Sequence, residues 1–300
     1  MSKVAFVKTR DRISGLNSAL NLLGISQMQG KDIFVKPNYN SADPAPGSTH
    51  NDVLRTLVRR LWDLGASRIT VGDRSGMGDT RQVMETKGVF GLADELGFQT
   101  SVFDELDASG WAHIGLADGH WTRGFAAARP ILAASALVQT CCLKTHRFGG
   151  HVTLSLKNTV GMVAKQVPGE SYNYMSELHS SPHQRRMIAE INTAFQPDLI
   201  VLDGVLAFVD GGPDKGTQVD AEVMLAGNDP VAIDAVGTAV LRHFGTTAAV
   251  SQGPIFEQEQ IARAVELGLG AKSPAEIQLV TPDAESEAYA AEIQAILTQG

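Results

Sequence analysis

The sequence predicts an α/β protein built on a mostly parallel sheet that is flanked by helices. Strand-like apolar runs alternate with segments of helical periodicity for most of the 300 residues. Several of these runs are apolar throughout, which is typical of strands that are buried on both faces of a parallel sheet. We therefore expect one α/β domain over residues 1–300, with residues 104–195 as an inserted segment or subdomain.

In the first hundred residues, the apolar runs predict strands at 4–7, 32–36, 68–73 and 99–103. A stripe of leucines follows the first of these strands, and Gly24 is expected to end that helix. The polar, proline-containing stretch 38–50 predicts a loop. A helix is predicted over 53–62, for which Thr49 or Asn51 is the expected N-cap.

In the rest of the chain, strands are predicted at 136–142, 198–203, 222–226 and 276–280. Residues 104–130 show little periodicity and predict turns and a hairpin. Helices are predicted after a cap at Ser180 or Ser181, after Asn228-Asp229-Pro230, and near 258–267 and 285–297. The alternating segment 152–158 fits a strand or a helix. The polar run 165–181 predicts a loop, which would act as a lid or a docking loop.

The composition is that of an ordinary folded protein, with 43% hydrophobic and 19% charged residues. A net charge of −8 argues against nucleic acid or an anionic membrane as a partner. We find no apolar run of the length that spans a membrane, and no signal-peptide pattern at the start. Cys141 and Cys142 are the two cysteines and are adjacent, which favours a reducing, cytoplasmic location.

Polar groups follow five of the predicted strands, at the point where each strand ends. If these strands are parallel, their ends meet at one edge of the sheet, where ligands bind in open α/β folds. A helix cap is the alternative role for Asp229, because it precedes a proline. The five strand ends are Lys36-Pro37-Asn38, Gly72-Asp73, Lys144-Thr145-His146, Asp203-Gly204 and Asn228-Asp229.

Lysines dominate this predicted site and would attract a carboxylate or a phosphate. Lys144, His146 and Lys157 are the candidate catalytic residues, because the pKa of a lysine or histidine can be tuned for proton transfer. The candidate substrate-binding residues are Lys36, Asn38 and Asn158. Internal ion pairs without any ligand are the alternative explanation for these charges.

A divalent metal ion is a further expectation for this site, although no cofactor is specified by the sequence. Asp73 and Asp203 are either counter-charges for the lysines or hard oxygen ligands for the metal. His179 and His183 are additional candidate ligands, although their spacing matches no recognised zinc pattern. Pro182 also argues against a shared helical face for these two histidines.

Several of these motifs, taken in order, resemble the domain of unknown function 362 family over roughly residues 30–270. The resemblance implies that many relatives in that family carry a ferredoxin-like cysteine cassette for iron–sulfur clusters. Cys141 and Cys142 cannot supply four thiolates, so we expect no iron–sulfur cluster in this chain, which would be a stand-alone form. The motifs are KPN (36–38), GD (72–73), LKTH (143–146), TLSLKN (153–158), DG (203–204), GGPxxG (211–216) and NDPVAID (228–234).

Two classes of function remain open from the sequence. The first is a cytoplasmic enzyme that acts on a small anionic molecule in a lysine-centred pocket, by isomerisation next to a carboxylate, a redox step or phosphoryl chemistry. The second is a non-catalytic module that binds a metal or an anion, or an accessory subunit of an iron–sulfur redox system. Homo-oligomerisation is compatible with both.

Overall fold

A ten-stranded mixed sheet forms the centre of the protein in the computed structural model, which describes residues 1–26 and 28–299. A separate two-stranded sheet, β5–β6, lies beside it. The strands are β1 (Ser2–Lys8), β2 (Asp32–Lys36), β3 (Arg68–Asp73), β4 (Gln99–Val102), β5 (Trp111–Ile114), β6 (Phe125–Ala128), β7 (Ala136–His146), β8 (His151–Thr153), β9 (Leu199–Gly211), β10 (Gly216–Val219), β11 (Val223–Gly227) and β12 (Ile277–Val280).

The helices connect and cover these strands. They are α1 (Arg12–Leu23), α2 (Asn51–Asp63), α3 (Thr80–Thr86), α4 (Val89–Leu96), α5 (Arg129–Leu132), α6 (Ser155–Asn158), α7 (Tyr174–Ser180), α8 (Gln184–Ile191), α9 (Pro230–His243), α10 (Ala248–Ser251), α11 (Glu259–Glu266) and α12 (Ala284–Gln299). No helix in the described part of the chain combines the length and the apolarity needed to cross a bilayer.

Eight strands follow one another across the main sheet in the order β12-β1-β11-β9-β7-β2-β3-β4. Among them β11 alone runs opposite to the others, because it pairs antiparallel with both β1 and β9. The carboxyl ends of β2, β3, β7 and β9 therefore meet at one edge. The prediction of a mostly parallel sheet is confirmed.

Helices cover both faces of the sheet because alternate strand residues point to opposite sides. In β1, Val4 and Phe6 pack with apolar side chains of α9, α11 and α12. Their neighbours Ala5 and Val7 pack with those of α1, α2 and α4. This alternation recurs in β9 and β11, so the sheet is buried on both faces, as the uniformly apolar runs predicted.

The segment 104–195 contributes to two parts of the structure. Its strand β7 is buried along its whole length and lies in the middle of the main sheet. The segment also contains the predicted hairpin, β5–β6, and the helices α7 and α8, which contribute apolar side chains to a third cluster. Phe34 of β2 joins that cluster and connects it to the main sheet.

Local predictions failed at three helix starts. His50, and neither Thr49 nor Asn51, caps α2 by accepting a hydrogen bond from the Asp52 amide. The predicted loop 165–181 contains the helix α7, because Asn173 caps its first turn. The helix α7 ends at Ser180, and α8 begins only at Gln184. Neither Ser180 nor Ser181 is therefore the N-cap of α8.

The structure also corrects the predicted position of Asn228-Asp229 and resolves the ambiguous segment 152–158. Asn228 and Asp229 lie at the opposite edge of the sheet, because they follow the antiparallel strand β11. There Asp229 caps α9 through a hydrogen bond from the Ala232 amide at 2.9 Å. The ambiguous segment 152–158 divides, since β8 ends at Thr153 and α6 starts at Ser155.

Candidate functional site

A cavity of about 390 Å³ opens at the carboxyl edge of β2, β3 and β7. Its volume is within the range of small-molecule sites. The helix α6 and the segment that contains α7 close its other sides. Seven of the predicted site residues line it: Lys36, Asn38, Asp73, His146, Lys157, Asn158 and His179.

Lys144 lies behind the wall of this cavity and is completely buried. Its Nζ donates hydrogen bonds to Asn38 Oδ1 at 3.1 Å, to Pro213 O at 3.0 Å and to Gly47 O. An ammonium group has three donors, and these acceptors use all of them. Burial lowers the pKa of Lys144, but three acceptors around Nζ favour the charged form. Lys144 therefore ties together two loops at the site, the one between β2 and α2 and the one between β9 and β10.

Asp203 does not join Asp73, contrary to the expectation of a shared metal site. Its carboxylate pairs with Arg12 Nε at 2.7 Å. Asp73 ends β3, and three strand positions of about 4.8 Å each separate β3 from β9, about 14 Å in all.

The two predicted histidine ligands also lie apart. His179 lines the cavity, and its Nδ1 lies 2.7 Å from Met175 O. His183 instead lies against His120, with 4.6 Å between the ring centroids and the two rings tilted by 47°. Within residues 1–26 and 28–299, no group of three or more His, Cys, Asp or Glu side chains is arranged to hold a metal ion. A divalent metal stays a prediction from the sequence.

Lys36 and Asp73 form an ion pair at the floor of the cavity, with 2.8 Å between Nζ and Oδ1. Both residues are almost completely buried. Burial lowers the pKa of Lys36 and raises that of Asp73, while their mutual attraction opposes both shifts. Asp73 also accepts the amides of Tyr39 and Arg74 at 2.7 Å each, which favours the ionised pair.

Two buried amides connect this ion pair to Lys144. Asn158 Oδ1 accepts from Lys36 Nζ at 3.2 Å and from Asn38 Nδ2 at 3.3 Å. Asn38 Oδ1 in turn accepts from Lys144 Nζ. The polar residues predicted at the ends of β2, β3 and β7 thus form one continuous hydrogen-bond network with α6. Such networks fix side-chain positions when every member is satisfied.

Lys157 projects from the short helix α6, whose first amides are held by a residue far along the chain. The carboxyl group of Asp234 in α9 accepts from the amides of Ser155 and Leu156. Burial, followed by the nearby positive charges of Lys144 and Arg74, lowers the pKa of Lys157 to about 7. Lys157 therefore exchanges its proton near neutral pH.

His146 stands beside Lys157 and is held in its neutral form. Burial, followed by the charge of Lys157, strongly lowers its pKa. Gly150 packs against both side chains, because a Cβ at this position would be 2.5 Å from Lys157 Cε and 2.9 Å from His146 Nδ1. The absence of a side chain at Gly150 thus makes room for Lys157 and His146.

Comparison with known proteins connects this site to a family. Residues 33–239 match the model of the family described as domain of unknown function (DUF362). The chain belongs to the DUF362 family. The matched range contains every residue of the cavity described above.

Two further comparisons, one with a sequence and one with a solved structure, show what this DUF362 protein is similar to. A thylakoid-associated protein of Synechocystis is 24% identical over 220 residues. The match covers 71% of this chain and 64% of that protein, so the chain spans less than two thirds of its length. The lactate racemase apoprotein of Thermoanaerobacterium thermosaccharolyticum matches with a TM-score of 0.44 at 16% identity, covering 75% of this chain and 54% of the other.

Arg74 is a residue of the DUF362 site that sequence reasoning missed. Its buried guanidinium donates to the carbonyls of Val160 and Val163 and to Met175 Sδ. The nearby charges of Asp73 and Asp104 partly offset the lowering of its pKa by burial. Its position directly after the strand end Gly72-Asp73 is the feature of the sequence that could have identified Arg74.

Gly161 is a second residue that the sequence left without a specific role. A Cβ at position 161 would lie 2.5 Å from Asp73 Oδ1 and 2.9 Å from Lys36 Nζ. The absence of a side chain therefore allows the backbone after α6 to pass directly over the ion pair.

Four residues around the cavity carry a buried polar atom without a hydrogen-bond partner among the described residues. Unpaired buried polar atoms are rare in folded proteins, and a ligand or ordered water is the usual explanation. Their concentration around one cavity supports a polar ligand there. The atoms are Tyr39 Oη, Asn40 Nδ2, His146 Nδ1 and Thr153 Oγ1.

Proposed function

We propose that this DUF362 protein is an enzyme that binds a small carboxylate or phosphate in the cavity and transfers a proton next to the anionic group. Lys157 is the proton-transferring residue, and Arg74 with Lys157 attracts the anion. The observation that carries this proposal is the position of Lys157 beside Arg74 at a cavity with an excess of positive charge, where burial and nearby cations lower the pKa of Lys157 to about 7.

The charge balance around the cavity supports an anionic ligand. Among the charged groups that line it, Lys36 is neutralised by Asp73, and Lys165 pairs with Asp104 at 3.2 Å. For Lys157, the charges that act on its pKa are those of cations, and burial acts in the same direction. An anion that bound beside Lys157 and Arg74 would relieve this repulsion.

A lysine with a pKa near the working pH is suited to acid–base catalysis. Neutral Lys157 can accept a proton from a bound molecule, and its ammonium form can then return the proton. The neighbouring His146 is neutral, and it is therefore a hydrogen-bonding partner for the substrate that adds no further charge. This division of roles favours proton transfer over phosphoryl transfer.

The other predicted residues have supporting roles in this proposal. Lys36 and Asn158 fix the floor of the cavity through the network that starts at Asp73. Lys144, which sequence reasoning placed among the catalytic residues, positions Asn38 because its three donors are already used. The side-chain nitrogen of Asn38, Nδ2, then donates to Asn158 Oδ1 at 3.3 Å.

The test measures binding first and chemistry second. The affinities of acetate, succinate and inorganic phosphate are measured by isothermal titration calorimetry with the wild type and Lys157→Gln. Solvent deuterium incorporation next to the carboxylate of each bound acid is then followed by NMR. We expect binding and exchange in the wild type, and loss of exchange in Lys157→Gln. Equal binding by both proteins without any exchange would contradict the proposal.

A further inference from the structure

Two large apolar side chains are exposed at the entrance of the cavity, in contrast to its charged floor. Met77, in the loop after β3, is 41% exposed, and Phe148, in the turn between β7 and β8, is 50% exposed. Both line the cavity. Val160 and the half-buried Met175 add further apolar surface to its walls. These side chains offer an apolar contact surface beside the exposed polar residues Asn173 and Ser176, which also line the cavity.

Met77 and Phe148 are a local concentration of exposed hydrophobic residues. Single exposed apolar side chains are normal on a protein surface and need no explanation. Five large hydrophobic side chains are exposed in the described part of the chain: Met1, Ile13, Met77, Leu132 and Phe148. Two of the five meet at this cavity, where unpaired polar atoms and excess positive charge already point to a ligand.

Phe148 is also held in place at the entrance. The guanidinium of Arg147 lies 4.4 Å from its ring centroid, and the ring of His146 meets it edge-on at 5.7 Å. Arg147 is itself fixed by Asp214 at 2.7 Å. The ring is therefore a preorganised contact surface, which lowers the entropy cost of binding an apolar group against it.

We infer that the ligand of this site is an amphipathic anion, with a carboxylate or phosphate head and an apolar tail. The head lies beside Lys157 and Arg74, and the tail leaves the cavity between Met77 and Phe148. The position of the head rests on the function proposed above, while the tail is argued from the entrance alone. A cavity of about 390 Å³ fits a small amphiphile.

The experiment measures how affinity changes with the length of the tail. Acetate, butyrate, hexanoate and octanoate are titrated into the wild type, and the matching monoalkyl phosphates form a second series. Burial of each methylene is expected to tighten binding by about fourfold, from the transfer free energy of about 0.8 kcal/mol. The series that binds more tightly identifies the head group, and a chain-length effect in either series supports the inference.

The double variant Met77→Ser/Phe148→Ser tests where the tail binds. This variant should lose most of the increase in affinity for each added methylene. The control Ile13→Ser/Leu132→Ser should keep that increase, because it changes exposed apolar residues away from the cavity. Binding of acetate without any effect of chain length would overturn the amphipathic ligand and leave the proposed function intact. An undiminished gain in the Met77→Ser/Phe148→Ser variant would also overturn it. Failure of every anion to bind would contradict the proposed function itself.

Discussion

Asp234 Oδ1 accepts the backbone amide of Ser155 at 2.7 Å, although the two residues are 79 positions apart in the chain. This contact attaches α6, the helix that carries Lys157, to α9 on one face of the sheet. It also gives the NDPVAID motif two distinct roles, since Asp229 caps α9 and Asp234 holds α6. The position of Lys157 therefore depends on a residue outside the cavity.

Asp234→Asn should be tolerated, whereas Asp234→Ala should destabilise the protein. Burial raises the pKa of Asp234 to about 8, so the protonated form predominates at neutral pH. Gln260 Nε2 lies 3.4 Å from Asp234 Oδ2, while Gln260 Oε1 has no partner among the described residues. A flipped Gln260 amide would accept the carboxyl proton, and asparagine would imitate that donor. Alanine leaves two buried amides unpaired, which costs about 1–3 kcal/mol each.

The measurement for Asp234 is urea unfolding at several pH values. Because the pKa of Asp234 is raised in the folded state, its contribution to stability is complete below its ordinary pKa of about 4 and is lost as the pH rises through about 8. Asp234→Asn should lack this decline and should be more stable than the wild type near pH 9. If the wild type became more stable relative to Asp234→Asn as the pH rose from about 4 to about 8, the pKa of Asp234 would not be raised in the folded protein.

Gly161→Ala should disturb the ion pair of Lys36 and Asp73. The added methyl group would approach atoms of both charged groups, and neither can withdraw without losing hydrogen bonds in the network. We expect a loss of about 1–3 kcal/mol in the free energy of unfolding and weaker binding of anions. Gly91→Ala is the matched control, because its Cβ would meet no atom within 4 Å and Gly91 lies inside α4. A Gly161→Ala protein as stable as the control would exclude this close packing.

Lys144→Met should destabilise the protein and change how the site titrates. It leaves Asn38 Oδ1 and two loop carbonyls without their donor, at a cost of about 3 kcal/mol or more. It also removes a charge that lowers the pKa of Lys157, so the pH midpoint of anion binding should move upward. Denaturant unfolding and calorimetry check both effects, with exposed Lys272→Met as the control. Complete loss of binding by a folded Lys144→Met protein would instead indicate direct contact with the ligand.

Lys157→Met should stabilise the ligand-free protein, and more so at low pH. The pKa of Lys157 is lowered to about 7 by burial and nearby cations, so the protein loses stability as the pH falls from the ordinary lysine value near 10.5 through about 7. A change of one in this pKa corresponds to about 1.4 kcal/mol in the free energy of unfolding, so the effect is large enough to measure. Thermal unfolding at about pH 6 and about pH 9 tests it. An equal effect of the substitution at both pH values would show that Lys157 is not perturbed.

Much of the fold followed from local patterns in the sequence. The buried strands were apolar throughout, and glycine or proline marked most of their ends, so the alternation of strands and helices was readable. The direction of β11 could not be predicted from the sequence, because a strand of five residues carries no local signal of whether it runs parallel to its neighbours. That single reversal moves Asn228 and Asp229 to the opposite edge of the sheet.

The members of the site were easier to predict than their roles. Lys36 and Asp73 meet at one cavity because they end β2 and β3, and Lys157 joins them from the short helix α6, which lies at the same edge. Lys144 differs from Lys157 only through tertiary contacts, since three carbonyl or amide oxygens from distant loops surround its Nζ. The roles of Arg74 and Gly161 depend on their tertiary contacts, with backbone carbonyls after α6 and with the ion pair respectively. These contacts cannot be predicted from the sequence alone.

The affinity for acetate as a function of pH tests the central claim, that Lys157 carries the exchangeable charge of an anion site. Acetate stays ionised from about pH 6 to about pH 9, so any change in affinity comes from the protein. We expect the wild-type affinity to fall above about pH 7, approaching tenfold per pH unit, and to be weak and constant in Lys157→Gln. A constant wild-type affinity, or the same decline in Lys157→Gln, would contradict the claim.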